Sequence, residues 1–330
     1  MNIVFSTTRQ WNAGDEFILR GLRSVLRRSG LEFNTIIYNR NPVVNPDDGK
    51  ASKGHLHNGL KENSLDPNGQ IVAHYAISAG TPEWAGGCRA ERFLDYVLRH
   101  RIRISFLGVG LENPIQPSGL LTRVLKHLTD VFICRDAKTV HSVAGVFPSV
   151  QLLACPSILS AENYRPRHAV KRIGCILQGT RVRWHSISRD LQSHLYAQYR
   201  RLSEHFEVEY VAHFLDDLDS AAPKEGRIFY SGIADDFYEI YDRFDLVIGT
   251  RLHGCGIAAS LGIPSISVSH DGRGEAAVFF GATLVRGHAF DLLDIVRSHD
   301  WASCSERVVD LIKKTDAAYI AALNHLFSKR

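Results

Sequence analysis

The chain has 330 residues, of which 45% are hydrophobic and 22% charged, a composition typical of a soluble globular protein with room for two domains. Its formal net charge of +4 is too small for the basic surface of a dedicated nucleic-acid binder. Neither a signal-peptide pattern nor an apolar run of membrane-span length is present, which predicts a cytoplasmic protein. The six scattered cysteines include no C-x-x-C pair, which predicts buried, reduced thiols.

Strand and helix patterns alternate through the first half of the chain. Apolar runs bounded by turn residues predict strands, and apolar residues at helical spacing predict helices. Residues 39–69 are rich in Asn, Pro, Gly and Asp and show no usable period. A stretch of that length is typical of a functional loop or of a disordered one. The predicted strands are 3–7, 33–38, 71–77, 102–107, 131–134 and 150–154, and the predicted helices are 15–28, 89–100 and 120–128.

The same alternation restarts after a linker that we predict at residues 156–172. It favours parallel sheets that helices cover on both faces. We therefore predict an α/β protein with two domains, residues 1–155 and 156–330, whose parallel sheets face each other across a cleft. In the second domain the predicted strands are 173–177, 208–211, 228–230, 246–248 and 265–268, and the predicted helices are 190–206, 235–244, 254–261, 290–299 and 306–327.

The turn after the first strand carries polar residues at the carboxyl end of the predicted sheet, where open α/β sheets bind ligands. Asn12 and Gly14 suit a tight turn, and Asp15 and Glu16 suit the first turn of the following helix. Helix capping alone accounts for the two acids. Because this turn should face the cleft, a ligand-binding role for the same residues stays open beside capping.

Later strand ends repeat this arrangement. Arg135-Asp136 follows a predicted strand and forms either a structural ion pair or part of a site. His213, and then His270 with Arg273, also follow predicted strands, so we include them as candidate substrate-binding residues. The chain has no H-E-x-x-H motif and no calcium loop, which predicts no metal. The patterns G-x-G-x-x-G and G-x-x-x-x-G-K-[ST] are also missing, which argues against a dinucleotide or P-loop site.

The most informative segment is 249–254, Gly-Thr-Arg-Leu-His-Gly, between a buried strand and a helix predicted to begin at Gly254. In an extended turn, side chains two residues apart point the same way, so Arg251 and His253 can converge on one ligand. The N-terminus of the following helix adds unpaired N–H groups and the positive end of its dipole. The segment therefore predicts an anion site formed by Arg251, His253 and Gly254.

In these segments the chain resembles the polysaccharide pyruvyl transferase family, from its first strand to about Arg273. The most specific block is 249–254 together with Gly-Ile-Pro at 262–264. Two segments differ from the family pattern: only part of a glycine-rich run is present at 78–87, and Cys155-Pro156 stands where the family often has Asp-Pro. The remaining blocks that carry the resemblance are 12–16, 105–110 and 134–136.

The resemblance implies a GT-B-like fold of two Rossmann-like domains and a transferase that moves the pyruvyl group of phosphoenolpyruvate onto sugar hydroxyls as a ketal. Such an enzyme acts in the biosynthesis of cell-surface polysaccharide, such as exopolysaccharide, on a saccharide or lipid-linked saccharide acceptor. Phosphoenolpyruvate is then the donor substrate and no cofactor is expected, while a lipid-linked acceptor would allow peripheral membrane association. Domain 1–155, with its loop at 39–69, is expected on the acceptor side, and domain 156–330 on the donor side.

Residue roles follow from the chemistry of that donor, which carries a phosphate and a carboxylate and gains a proton on its methylene carbon. We expect catalytic roles for three residues: Arg251 holds the phosphate or carboxylate, His253 acts in proton transfer or phosphate binding, and Asp15 (or Glu16) serves the acceptor hydroxyls. Arg135 is the expected second cation. Two alternatives are a GT-B glycosyltransferase that uses a nucleotide sugar and a non-catalytic anion-binding protein.

Overall fold

The computed structural model describes residues 1–7, 13–39, 73–82, 92–111, 115, 119–180, 186–218, 222–223, 225–287 and 289–328. Asn12 and nearly all of the loop predicted at 39–69 lie outside these described residues. The chain divides into two compact units, Met1–Pro156 with Asp316–Arg330 and Ser157–Thr315. Each unit contains one six-stranded sheet in which neighbouring strands are parallel, as the alternation of strands and helices predicts.

The elements of the first unit, in chain order, are β1 (Asn2–Thr7), α1 (Ala13–Arg28), β2 (Asn34–Asn39), β3 (Tyr75–Gly80), α2 (Arg92–Arg99), β4 (Ile104–Val109), α3 (Leu120–Leu128), β5 (Thr129–Cys134), α4 (Ala137–Val143) and β6 (Val150–Leu152). Its sheet has the order β2-β1-β3-β4-β5-β6. Phe5 of β1 lies between Ile37 of β2 and Ile77 of β3. β3 and β4 are buried along their whole length, which explains their mostly apolar sequences.

The sequence of helix α1 contains the charge pattern and the apolar spacing that predict a helix. Its acidic residues lie in the first turn and its basic residues in the last, so both ends complement the helix dipole. The apolar side chains recur at helical spacing and form one buried face. The helix predicted at 15–28 is confirmed, and it begins two residues earlier. Its buried apolar side chains are Phe17, Ile18, Leu19, Leu22, Val25 and Leu26.

The elements of the second unit are β7 (Arg172–Ile176), α5 (Arg189–Ser203), β8 (Glu207–Ala212), β9 (Ile228–Tyr230), α6 (Asp236–Asp242), β10 (Leu246–Gly249), α7 (Leu252–Ser260), β11 (Ser265–Ser269), α8 (Gly274–Ala277), β12 (Thr283–Arg286) and α9 (Leu292–Ser298). The sheet order is β12-β11-β10-β7-β8-β9, so β7 and β10 lie at its centre. Short 3₁₀ helices at Pro156–Leu159 and Leu215–Asp217 follow β6 and β8. The short elements α4, α8 and β12 are not predicted from the sequence.

The last helix, α10 (Trp301–Phe327), belongs to both units. From Asp316 onwards it belongs to the first unit, whereas the sequence prediction assigns all of 156–330 to the second domain. Asp316 accepts a hydrogen bond of 2.7 Å from Arg28 Nη2, and the Tyr319 hydroxyl donates to the Ala154 carbonyl over 3.1 Å. Helical periodicity identifies an amphipathic helix without identifying the core on which it packs.

Pro156 contacts two glycines of the first unit at very short range. A Cβ atom on Gly21 of α1 would lie 1.8 Å from the Pro156 carbonyl oxygen. Gly108 of β4 has φ of +69°, and a Cβ there would lie 2.1 Å from Pro156 Cδ. These contacts require glycine at both positions, because backbone and ring atoms cannot move aside as a flexible side chain can.

Two further expectations concern cysteines and membrane spans. Five cysteines, all except Cys88, lie in the described part of the chain, and all five are buried and free of disulfides. That agrees with the expectation of buried thiols. Among the described residues, none of the helices combines the length and the apolar character that crossing a membrane requires.

The Gly21→Ala variant tests the contact between α1 and Pro156. Inside a helix this change ordinarily stabilises by roughly 0.5–1 kcal/mol, because alanine loses less backbone entropy. Here we expect the free energy of unfolding to fall by about 2 kcal/mol, because the new Cβ overlaps the Pro156 carbonyl. Chemical denaturation measures it. The exposed Arg27→Ala change in the same helix is the control and should stay within about 0.5 kcal/mol. A more stable Gly21→Ala protein would contradict this account.

Candidate functional site

The segment 249–254, which carries the most specific sequence prediction, joins the end of β10 to the start of α7. Arg251 is the N-cap of α7, and no side chain caps that N-terminus. The helix begins at Leu252, so His253 lies in its first turn, not in an extended turn as predicted. The reason is that Gly254 N–H and Cys255 N–H already donate to the Arg251 carbonyl, over 3.0 and 3.4 Å. Arg251 keeps extended backbone angles while His253 is helical, so the extended-turn geometry holds only for Arg251, and the convergence of the two side chains on one ligand stays a prediction.

Glycines bring the start of α7 close to the central strand β7. A Cβ on Gly254 would lie 2.2 Å from Ile176 Cδ1, and one on Gly249 would lie 2.5 Å from Ile176 Cβ. Packing therefore explains both glycines of the 249–254 segment. The predicted substrate-binding role of Gly254 is not needed to account for it and stays a prediction.

The Arg251 guanidinium is held by two neighbours within the second unit. Its Nη2 donates a short hydrogen bond to Asp217 Oδ1, and its carbon lies 4.4 Å from the centre of the Phe214 ring. The Arg251 Nε atom is buried and has no hydrogen-bond partner. These contacts fix the guanidinium at the carboxyl end of the sheet, and its role in holding a phosphate or carboxylate stays a prediction.

Asp217 is the residue at this strand end that the sequence prediction misses. It has no exposed surface, and its carboxylate accepts backbone N–H bonds from Gly179 (3.2 Å), His213 (3.2 Å) and Phe214 (3.0 Å). From the sequence, a calcium loop is excluded and no role is assigned to the acidic residues at 216–219. The signal that selects His213, a position just after β8, could equally have selected Asp217.

His213, whose backbone N–H donates to this carboxylate, is only 6% exposed. Its Nε2 atom is 2.7 Å from the Tyr241 hydroxyl oxygen, and its ring meets the Phe237 ring edge-on at 5.0 Å. Burial, together with the charge of Arg251, lowers the pKa of His213 to about 3. The imidazole is therefore neutral near pH 7, which excludes the cationic form for substrate binding. Its predicted substrate-binding role stays a prediction.

His270 and Arg273 meet at Asp271 in the turn after β11. Arg273 donates to Asp271 through its backbone N–H and Nε, both over 2.9 Å, and His270 Nε2 lies 3.3 Å from Asp271 Oδ2. Burial raises the pKa of Asp271, but hydrogen bonds from Arg273 outweigh this effect and lower the pKa overall. These two predicted residues thus share one local carboxylate. No group of His, Cys, Asp or Glu within the described ranges could hold a metal ion.

In the first unit, Arg135 follows β5 and is only 4% exposed. Its guanidinium occupies the space that a side chain at position 110 would fill, since a Cβ on Gly110 would lie 2.2 Å from Arg135 Nε. Nη2 reaches Thr81 Oγ1 over 3.4 Å, and no carboxylate in the described part of the chain pairs with Arg135. Asp136 instead caps α4 by accepting the Thr139 N–H over 2.7 Å. The structural ion pair considered from the sequence is therefore not formed.

The start of α1 lies at the carboxyl end of β1. Gly14 and Asp15 are buried and Glu16 is partly exposed in the first turn. Asp15 and Ser6 line a cavity of about 10 Å³, which is close to the room that one water needs. A ligand role for these residues stays a prediction, and Asn12 lies outside the described residues.

The neutral His213 predicts an acid dependence of stability. The unfolded chain takes up a proton on this imidazole below about pH 6.5, whereas the folded chain does so only near pH 3. The free energy of unfolding should therefore decrease as the pH is lowered, by about 2 kcal/mol between pH 6.5 and pH 5. Denaturation of the His213→Phe variant at pH 7 and pH 5 measures this share, because the variant should lose correspondingly less stability than wild type. An equal loss in both proteins would refute the assignment.

Known proteins resemble this chain in family pattern and in fold. Residues 12–272 match the family model described as polysaccharide pyruvyl transferase. No curated protein matches the chain. Among solved structures, the chain is similar to a protein described as a UDP-N-acetylglucosamine 2-epimerase from Listeria monocytogenes, with a TM-score of 0.63, 12% identity and coverage of 100% of this chain and 97% of that chain.

Two further structures are similar in the same way. The UDP-GlcNAc 2-epimerase from Neisseria meningitidis, bound to UDP-GlcNAc, has a TM-score of 0.58 at 10% identity, covering 95% of this chain and 100% of that chain. The glycosyltransferase SnogD from Streptomyces nogalater has a TM-score of 0.53 at 14% identity, covering 99% of both chains. At such identities these likenesses concern the fold alone, and they confirm the predicted GT-B-like α/β class. The family model covers most of the chain, and the chain therefore belongs to the polysaccharide pyruvyl transferase family.

Proposed function

We propose that this protein transfers the pyruvyl group of phosphoenolpyruvate onto two hydroxyls of a saccharide, or of a lipid-linked saccharide, as a ketal. The observation that carries the proposal is the start of α7. There a fixed guanidinium, a helix N-terminus without a capping side chain and a partly exposed histidine occupy three consecutive positions, Arg251, Leu252 and His253. Family membership supports the reaction class, and the chemistry of this strand end supports the anionic donor.

Binding of the donor at this strand end follows from hydrogen-bond direction more than from net charge. Asp217 balances the charge of Arg251, so the guanidinium offers oriented N–H donors without a large uncompensated positive charge. The dipole of α7 and its first N–H groups add an attraction for phosphate or carboxylate. These features suit a small, highly charged ligand with several acceptor oxygens.

The reaction requires balanced proton movements. One acceptor hydroxyl attacks the central carbon of phosphoenolpyruvate, the methylene carbon takes up a proton and becomes a methyl group, and the carbon–oxygen bond to phosphate breaks. The second hydroxyl closes the ketal, so one hydroxyl proton ends on the methyl group and the other on the released phosphate. His253 is the proposed proton carrier or phosphate ligand, because imidazole exchanges protons near neutral pH.

Two further residue roles are proposed for the first unit, taken by itself. Arg135 is a buried cation without a carboxylate partner in the described part of the chain, and such a charge is costly unless an anion compensates it. We assign it to anion binding. Asp15, or Glu16 beside it, is the proposed partner of an acceptor hydroxyl, since both lie at the carboxyl end of β1. Polysaccharide biosynthesis is the proposed context.

Replacing His253 tests the catalytic assignment. We expect His253→Ala to lower acceptor-dependent phosphate release from phosphoenolpyruvate by at least about 100-fold, since it removes the proposed proton carrier. His205→Ala removes an exposed histidine from the same unit and should leave the rate unchanged. Full activity of His253→Ala would remove His253 from the mechanism. Thermal stabilisation of wild type by a nucleotide sugar, with none by phosphoenolpyruvate, would instead favour a glycosyltransferase.

Gly110→Ala tests Arg135 without replacing it. The new Cβ would overlap Arg135 Nε, so the guanidinium must leave its place beside Thr81. We expect the KM for phosphoenolpyruvate to rise about tenfold or more, as loss of one charged hydrogen bond implies. Gly145→Ala, in a turn of the same unit with open space around it, strains the backbone without touching Arg135 and is the control. An unchanged KM in Gly110→Ala would argue against anion binding by Arg135.

A further inference from the structure

Asp217 ties together three strand ends of the second unit. Its Oδ1 atom accepts from Gly179 N–H, which follows β7, and from Arg251 Nη2, which follows β10. Its Oδ2 atom accepts from the backbone N–H groups of His213 and Phe214, which follow β8. Four donors therefore converge on one carboxylate that has no exposed surface.

The Asp217 carboxylate holds the Arg251 guanidinium in one orientation. Backbone N–H groups fix the position of Asp217, so the hydrogen bond to Nη2 fixes one end of the guanidinium plane. The Phe214 ring, 4.4 Å away, covers one face of the same plane. Asp217 engages only Nη2, so other N–H groups of the fork remain for a ligand, and the buried Nε–H has no protein partner.

We propose that Asp217 is a positioning residue for the reaction: it holds Arg251 in the orientation that binds the donor anion. This inference rests on the proposed function of Arg251. Stability alone explains the arrangement poorly, because a buried ion pair contributes little net stability relative to apolar packing. By contrast, a guanidinium that is already fixed before the ligand binds avoids the entropy cost of ordering a long flexible side chain on binding.

The test is Asp217→Asn, with Asp216→Asn as its matched control. Asparagine has one acceptor oxygen and one NH₂ group, so either the Gly179 and Arg251 donors or the His213 and Phe214 donors must face another donor. We expect kcat/KM for phosphoenolpyruvate to fall on the order of 100-fold, as misplacement by about an ångström can cause. Asp216 is exposed in the same 3₁₀ helix, and Asp216→Asn removes the same charge. Equal kinetics in the two folded variants would overturn the proposal.

A spectroscopic readout separates this proposal from the proposed function. In protein labelled with ¹⁵N-arginine, the signal that disappears in Arg251→Lys identifies the Arg251 Nε–H. We expect this proton to exchange slowly with water in ligand-free wild type and in Asp216→Asn, and quickly in Asp217→Asn. Fast exchange in wild type would overturn the positioning role even if Asp217→Asn did not fold. If wild type releases no phosphate from phosphoenolpyruvate, the proposed function fails, while the exchange rates still show whether Asp217 holds Arg251.

Discussion

The buried carboxylate of Asp217 is the interaction on which the candidate site of the second unit depends. Removing a carboxylate from water is costly, and only several well-placed donors offset that cost. Three of its four hydrogen-bond donors are backbone N–H groups. The loops after β7 and β8 therefore stabilise the buried carboxylate as much as Arg251 does. The loops and the guanidinium are thereby held in one arrangement. The neutral form of His213, whose backbone N–H belongs to this set, avoids a second positive charge beside Arg251.

The two units place an arginine at a strand end in different electrostatic settings. Arg251 is compensated by a buried carboxylate, whereas Arg135 has no carboxylate partner among the residues that the structure describes. Glycine makes room in both cases: Gly110 leaves space for the Arg135 guanidinium, and Gly254 lets α7 approach β7. The Arg251 guanidinium, neutralised by Asp217, offers N–H donors in a fixed orientation. The Arg135 guanidinium offers a positive charge that no carboxylate among the described residues compensates.

Periodicity and strand ends could be read from the sequence, but the partners of polar side chains could not. The apolar spacing of α1 and the apolar run of β10 predict both elements, because each depends on local pattern. Asp217 was missed because its importance comes from Gly179 and Arg251, two donors that follow β7 and β10 and are far away in sequence. The second half of α10 was assigned to the wrong unit for the same reason, since its periodicity does not reveal which core it joins. Single-residue helix boundaries, as at His253, depend on backbone bonds that propensity does not specify.

The Gly-Thr-Arg-Leu-His-Gly segment can now be understood position by position. Gly249 and Gly254 pack closely against Ile176, Leu252 is buried, and the Thr250 hydroxyl donates to the Gln178 side-chain oxygen. These four positions fix the junction of β10 and α7, and Asp217 fixes Arg251 upon it. The remaining position is His253, which is partly exposed on the first turn of α7. Most of the motif therefore builds one fixed junction that carries Arg251 and His253, and a fixed arrangement of this kind is compatible with the proton transfer that we propose.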